Sequence, residues 1–158
     1  ENNMIKIGEK IPAVNVTIAG TEHKTVNAAE LFADKKVVLF ALPGAFTPTC
    51  SAAHLPGYVI HADAFKAKGV DMIACLSVND AFVMHAWGEA QNAEHITMLA
   101  DGDAALTKAL GLEMETDFGG TRSKRYAMVI DNGIVSMLNV EAPKTLEVSK
   151  AEVMLDAL

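Results

Sequence analysis

Hydrophobic and polar positions follow two patterns along the chain. Residues 37–42 form an unbroken apolar run, Val-Val-Leu-Phe-Ala-Leu, and residues 70–78 read Val-Asp-Met-Ile-Ala-Cys-Leu-Ser-Val. Near-continuous apolar runs of this length are expected of strands covered on both faces. Between them a helical pattern covers residues 48–68, with Pro48 suited to a first turn and Gly69 to the stop. Pro56 lies inside that pattern and predicts a kink or a split. Strand, helix and strand in this order predict a right-handed βαβ crossover with parallel strands.

Shorter segments complete the outline. Residues 14–18 and 25–28 are β-like pieces around Ala19-Gly20, an expected N-terminal hairpin. Asp80 is placed to cap a helix reaching about Gln91, and residues 96–100 predict a strand. Residues 103–110 predict a helix stopped by Gly111, and residues 111–124 read as a long loop. Residues 126–130 and 134–140 flank Asp131-Asn132-Gly133, an Asn-Gly hairpin signal, and residues 149–158 close with an amphipathic helix. The sum is an α/β fold with a mixed central sheet flanked by helices and an N-terminal β extension. That order is compatible with a thioredoxin-like sheet. With no repeat, low-complexity tract or linker, residues 1–158 read as a single domain; Met4 would suit a native start, with residues 1–3 left from expression.

Composition narrows the function classes. Half the residues (51%) are hydrophobic and 21% charged, so a folded protein is expected rather than a disordered one. Thirteen Lys and Arg against twenty Asp and Glu leave a net charge of −7, which argues against nucleic acid or anionic membrane as partner. The longest apolar run is far too short for a membrane span, and residues 1–15 carry no signal-like apolar region. A cytoplasmic location is therefore expected, where the Asn15-Val16-Thr17 sequon carries no meaning.

The candidate chemistry is sparse. No C-x-x-C, H-x-x-x-H or H-E-x-x-H spacing occurs, so no metal is expected. Asp101-Gly102-Asp103 opens like a calcium loop, but Leu112 stands where a glutamate is needed. No phosphate-binding G-x-x-x-x-G-K occurs, and no cofactor is expected. There remain two cysteines. Cys50 follows the end of a central strand and falls in the first turn of the next helix, where unpaired N–H groups and the helix dipole favour an anion such as a thiolate. Thr47, three residues earlier, can present its hydroxyl to the same pocket, while Pro43 and Pro48 stiffen the loop and limit solvent access.

Pro43, Thr47 and Cys50 fit the pattern P-x-x-x-T-x-x-C, and the chain here resembles the peroxiredoxins. The stretch PGAFTPTCSAAHLPGY at 43–58 is similar to the type V, or atypical two-cysteine, subfamily, as are ACLSVNDAFVMHAWG at 74–88 and SKRYAMVIDNGIV at 123–135. The resemblance implies that Cys50 is the peroxidatic cysteine and that Arg125 completes the site; read by itself, Arg125 belongs to a solvated basic face with Arg122 and Lys124. Arg125, the Thr47 hydroxyl and nearby N–H groups would stabilise charge on the departing oxygen, leaving a sulfenic acid on Cys50.

Cys75 lies in an apolar run and is expected to be packing. Two-cysteine members of the subfamily carry a second cysteine late in the chain, whereas EAPKTLEVSKAEV at 141–153 has none. The departure suggests a one-cysteine cycle closed by an external thiol, glutathione or glutaredoxin first and thioredoxin second. A Cys50–Cys75 disulfide is the internal alternative. The resemblance also implies a homodimer, with Phe46, Phe82, Trp87 and Phe118 as candidates for its patch or for ordinary core. Two rivals use the same thiol: a peroxide sensor or holdase, and a cysteine hydrolase with His54 as base. The alternative for His54 is a hydrogen-bonded structural role.

Overall fold

The computed structural model describes residues 3–158; Glu1 and Asn2, two of the three residues assigned above to an expression remnant, lie outside them. The described chain opens with the expected hairpin, β1 (Asn15–Ile18) and β2 (Lys24–Asn27), paired antiparallel. Asn27 ends the second strand by capping α1 (Ala28–Leu31), its side-chain oxygen accepting from the N–H groups of Ala29 and Glu30. The first apolar run becomes β3 (Lys36–Ala41). Its period of two splits the run between two cores: Val38 and Phe40 face one side, Val37, Leu39 and Ala41 the other.

The segment after β3 turns helical at residue 48, widens into a π-helical stretch (Cys50–His54) and continues as α2 (Leu55–Ile60). The wide turn is recorded by the Leu55 N–H donating to the Cys50 carbonyl, five residues back. Pro56 sits just beyond this turn, in the first residues of α2, and causes no split; the interruption falls at His61, before α3 (Ala62–Ala67). A proline lacks the N–H an α-helix would use and crowds the preceding turn. The π-helical widening absorbs that mismatch, so the irregularity expected at Pro56 takes the form of a wide turn and not of a split.

The second apolar run is β4 (Met72–Ser77), parallel to β3 as the crossover requires. The Asp80 carboxylate accepts from the Val83 N–H and starts α4 (Ala81–Ala90), followed by β5 (Thr97–Ala100). Next comes α5 (Ala105–Ala109), shorter than its expected span. Buried Asp101 anchors it, accepting from the N–H groups of Leu106 and Thr107 and from the Thr107 hydroxyl.

Residues 111–124 are not the expected loop. They hold an antiparallel pair, β6 (Glu113–Thr116) and β7 (Gly120–Ser123), in a small sheet of its own. Four-residue, half-exposed strands carry no apolar run, and Met114 is the only large apolar side chain in the ladder. The Asn132-Gly133 turn then joins β8 (Tyr126–Asp131) to β9 (Ile134–Val140), both turn residues having positive φ, 49° and 79°. The chain ends with α6 (Ala151–Asp156).

The main sheet has seven strands in the order β2-β1-β5-β4-β3-β8-β9, parallel at its centre and antiparallel toward both edges. Side chains from the π-helical turn, α2, α3, α4 and α6 bury one face; α1, α5 and the N-terminal segment cover the other. On the first face Phe40 stacks on Tyr58 at 3.9 Å between centroids, and Tyr58 on Phe65 at 5.6 Å. Each fully buried aromatic there contributes about 1.5–3 kcal/mol of burial. The stack presses the cysteine-bearing helix onto the centre of the sheet.

Candidate active site

The loop leaving β3 is held from several directions. Residues 44–47 close into a turn, with the Thr47 N–H and hydroxyl both donating to the Gly44 carbonyl, the hydroxyl at 2.7 Å. The Ala45 N–H donates to the Asn79 side chain, whose oxygen also accepts from the Ser77 hydroxyl. Arg122, on β7, reaches across the loop and donates to the Val78 carbonyl at 3.0 Å and the Pro43 carbonyl at 3.4 Å. A side chain at Gly44 would meet Thr47 and Arg122 at 3.1 and 3.3 Å, so glycine permits this close approach. Arg122 also lies 5.6 Å from the Phe118 ring centroid. It is therefore a strut of the loop and not part of a solvated face. Nothing in its sequence context separated it from Lys124.

Cys50 is the third residue of the helical run, fully buried, its Sγ 3.2 Å from Arg125 Nη2. Arg125 comes from the residue before β8, and the Ala41↔Tyr126 pairing sets it beside the end of β3. The Thr47 hydroxyl hydrogen is committed to Gly44, not to the sulfur or to a departing oxygen. Its oxygen lone pairs remain able to accept from a hydroperoxide O–H. The sequence expected the hydroxyl to stabilise charge; its geometry suits orienting a substrate.

His54, one turn after Cys50, is buried and bonded at both ring nitrogens. Arg125 Nη1 lies 2.9 Å from Nδ1, and Nε2 lies 3.2 Å from the Ser149 carbonyl. A guanidinium only donates, so Nδ1 is the unprotonated acceptor and Nε2–H donates to Ser149. Burial first, and the Arg125 charge second, hold the imidazole at a pKa of about 3, hence neutral. Both nitrogens being taken, His54 is no base for Cys50, and the hydrolase arrangement is not formed. The structural alternative is the one observed, and it bears on the site: a neutral acceptor orients Arg125 without cancelling its charge.

Cys75 lies on β4, fully buried, with a free thiol like that of Cys50. Burial pushes its thiol well above the ordinary range; Cys50 adds to this and Arg125 opposes it. A thiol so raised is held in its neutral form, which is the weaker nucleophile. Trp87 is also core, its indole N–H donating to Ser51 Oγ, whereas Phe46, Phe82 and Phe118 are 57%, 75% and 63% exposed. Phe46 holds a positive φ of 64° in the turn before Cys50. Among the described residues no cluster of three His, Cys, Asp or Glu is placed to hold a metal.

The site is thus a buried cysteine at a helix start paired with an arginine from the far side of the sequence. The Redoxin family model matches residues 6–155. The chain is 50% identical to the chloroplastic peroxiredoxin-2E-2 of Oryza sativa subsp. japonica, covering 98% of this chain and 72% of that protein. It is 44% identical to peroxiredoxin-2D of Arabidopsis thaliana, covering 98% of both. The chain belongs to the peroxiredoxin family. As such it is a thiol-dependent peroxidase, an oxidoreductase built on the thioredoxin-like α/β fold. Among solved peroxiredoxins, reduced Prx3 of Vibrio vulnificus in complex with hydrogen peroxide superposes with a TM-score of 0.95 at 65% identity, covering 98% of this chain and 96% of that one. No described helix is long and apolar enough to cross a membrane.

Proposed function

We propose that residues 1–158 form a single peroxiredoxin domain of type V that reduces hydrogen peroxide and small organic hydroperoxides with one catalytic cysteine. The observation that carries this reading is the 3.2 Å contact between Arg125 Nη2 and Cys50 Sγ, 75 positions apart in sequence. The Cys50 thiolate attacks the nearer peroxide oxygen in line; the S–O bond forms and the O–O bond breaks. The departing hydroxide or alkoxide takes a proton and leaves as water or alcohol, and Cys50 becomes a sulfenic acid. The Arg125 guanidinium stabilises charge on both the sulfur and the breaking bond. Thr47 Oγ accepts from the hydroperoxide O–H, and Pro43 shields the sulfur from water.

An external thiol closes the cycle. It attacks the sulfenic sulfur, releases water and leaves a mixed disulfide, which a second thiol reduces. An external donor is called for because residues 141–153 hold no cysteine and Cys75 is a buried thiol disfavoured from ionising; glutathione or glutaredoxin comes first and thioredoxin second. No cofactor takes part, since the donor thiols supply both electrons. Such a cycle suits the reducing cytoplasm. A homodimer would cover the exposed Phe46, Phe82 and Phe118; sedimentation of the reduced protein as a monomer at working concentrations would remove that part of the reading.

The deciding experiment is steady-state peroxide consumption with glutathione and glutaredoxin in wild type, Cys50→Ser and Cys75→Ser. Wild type and Cys75→Ser are expected to turn over and Cys50→Ser is not. Turnover in Cys50→Ser ends the assignment. Loss in Cys75→Ser, with an intramolecular disulfide by mass spectrometry, replaces the one-cysteine cycle by a two-cysteine one.

A further inference from the structure

The contacts around Arg125 close into a ring through a segment far from Cys50 in sequence. Glu141 follows the last residue of β9, and its N–H donates to the Arg125 carbonyl at 2.9 Å. Its carboxylate gathers four donors: the Glu147 N–H, the Ser149 N–H and the Ser149 hydroxyl on Oε2, and the Thr145 hydroxyl on Oε1. The Ser149 carbonyl, so fixed, accepts the Tyr58 hydroxyl at 2.6 Å and His54 Nε2–H at 3.2 Å. His54 Nδ1 then accepts from Arg125 Nη1, which leaves Nη2 for the sulfur. One end of the ring holds the Arg125 backbone and the other its guanidinium.

From this geometry we propose that Glu141 is a positioning residue for peroxide cleavage, acting through Ser149 and His54 to aim the Arg125 guanidinium. The inference rests on the peroxidase reading of Cys50. An imidazole has two neutral tautomers, and only the one with hydrogen on Nε2 offers Arg125 a lone pair. The Ser149 carbonyl selects that tautomer, and the Glu141 carboxylate keeps that carbonyl in place. Partial burial would raise the Glu141 carboxyl, but the bonds from Ser149, Glu147 and Thr145 outweigh it and hold it below its usual range, so it stays an acceptor for all four donors. A glutamine lacks the charge that strengthens these bonds; it has one acceptor oxygen for the three donors on Oε2 and leaves its amide nitrogen to the Thr145 hydroxyl. The segment has the same standing for Arg125 that an outer-shell group has for a metal ligand.

The test separates aiming from mere loop stability. Peroxide cleavage needs the guanidinium placed on the breaking bond; alkylation of the same thiolate by iodoacetamide does not. Both rate constants are measured in wild type, E141Q and the milder E141D, at a pH where ultraviolet absorbance shows Cys50 to be fully thiolate. E141Q is expected to lose about tenfold in the peroxide constant relative to the alkylation constant. A relative loss of about threefold or more supports the proposal, and a smaller one, or a parallel fall of both constants, overturns it. Should E141Q fail to fold, E141D is judged by the same threshold. In an R125Q background the Glu141 change is expected to cost nothing further, and an additive loss overturns the proposal. A wild type inert to peroxide would overturn the peroxidase reading itself, and with it this inference; a reactive wild type matched by E141Q overturns the inference alone.

Discussion

The indole N–H of Trp87 donates to Ser51 Oγ at 3.0 Å, so the chain's one tryptophan is bonded to the residue that follows Cys50. Trp87 is fully buried on α4 and belongs to the same core as Cys50. Adding oxygen to buried Cys50 is expected to shift its neighbour Ser51 within that packed turn. Peroxide is therefore expected to change Trp87 emission in a single phase whose rate rises linearly with peroxide concentration. Stopped-flow fluorescence checks this, with Ser51→Ala shrinking the amplitude and Cys50→Ser abolishing it. A full-size signal in Cys50→Ser would show that the emission reports something else.

Arg125 uses its two terminal nitrogens on different partners, Nη1 on His54 and Nη2 on Cys50. An ammonium cannot divide itself in this way, so lysine is no substitute. Arg125→Lys and Arg125→Gln are both expected to slow the reaction with hydrogen peroxide by about 10²–10³-fold, the usual cost of losing a donor to developing charge. The second-order rate constant from peroxide consumption measures it. Arg125→Lys within about tenfold of wild type would mean that charge alone suffices and aim does not matter.

His54 gives the protein an acid sensitivity whose sign is set by burial. The folded imidazole has a pKa of about 3, lowered from 6.5 by burial and then by Arg125. Between these values the unfolded chain binds a proton that the native state refuses. The stability contribution is therefore complete above pH 6.5 and is lost as the pH falls toward 3, by several kcal/mol in all. Urea midpoints should fall between pH 7 and about pH 4.5, and His54→Gln should flatten that part of the curve. Equal pH slopes in the two proteins would mean that other groups cause the loss.

Arg122 separates loop support from chemistry, because it touches carbonyls at Pro43 and Val78 and its hydrogen bonds do not involve the sulfur. Arg122→Ala should lower stability by about 1–2 kcal/mol. It should also speed alkylation of buried Cys50 severalfold as the loop opens, while peroxide reduction falls far less than in Arg125→Gln. Thermal melts and iodoacetamide kinetics measure the two effects. Slower alkylation in Arg122→Ala would contradict the strut assignment.

Much of this arrangement was legible in the sequence because it is local. The apolar run at 37–42, the turn Pro43–Cys50, the cap at Asp80 and the Asn132-Gly133 hairpin each depend on neighbours within a few residues. Backbone preference and hydrophobic period act over that range. The hairpin of β6 and β7 escaped because short, half-exposed strands bury too little to impose a pattern. Pro56 marks an irregularity of another form than a split: the π-helical turn before it, invisible to periodicity, accommodates the proline within a continuous helical run.

The sequence by itself determined the seven strands of the main sheet along the chain, the position of Cys50 at a helix start and, through P-x-x-x-T-x-x-C, the family it resembles. Only the tertiary structure decided how Arg125 and Arg122, three residues apart, divide their work, and that His54 serves Arg125 instead of Cys50. These are side-chain hydrogen bonds between residues 44 to 95 positions apart. They exist because β8 pairs beside β3 and the 141–149 segment returns over the cysteine helix. Local preference fixes where a residue sits on its own element, but its partner is set by how the elements pack.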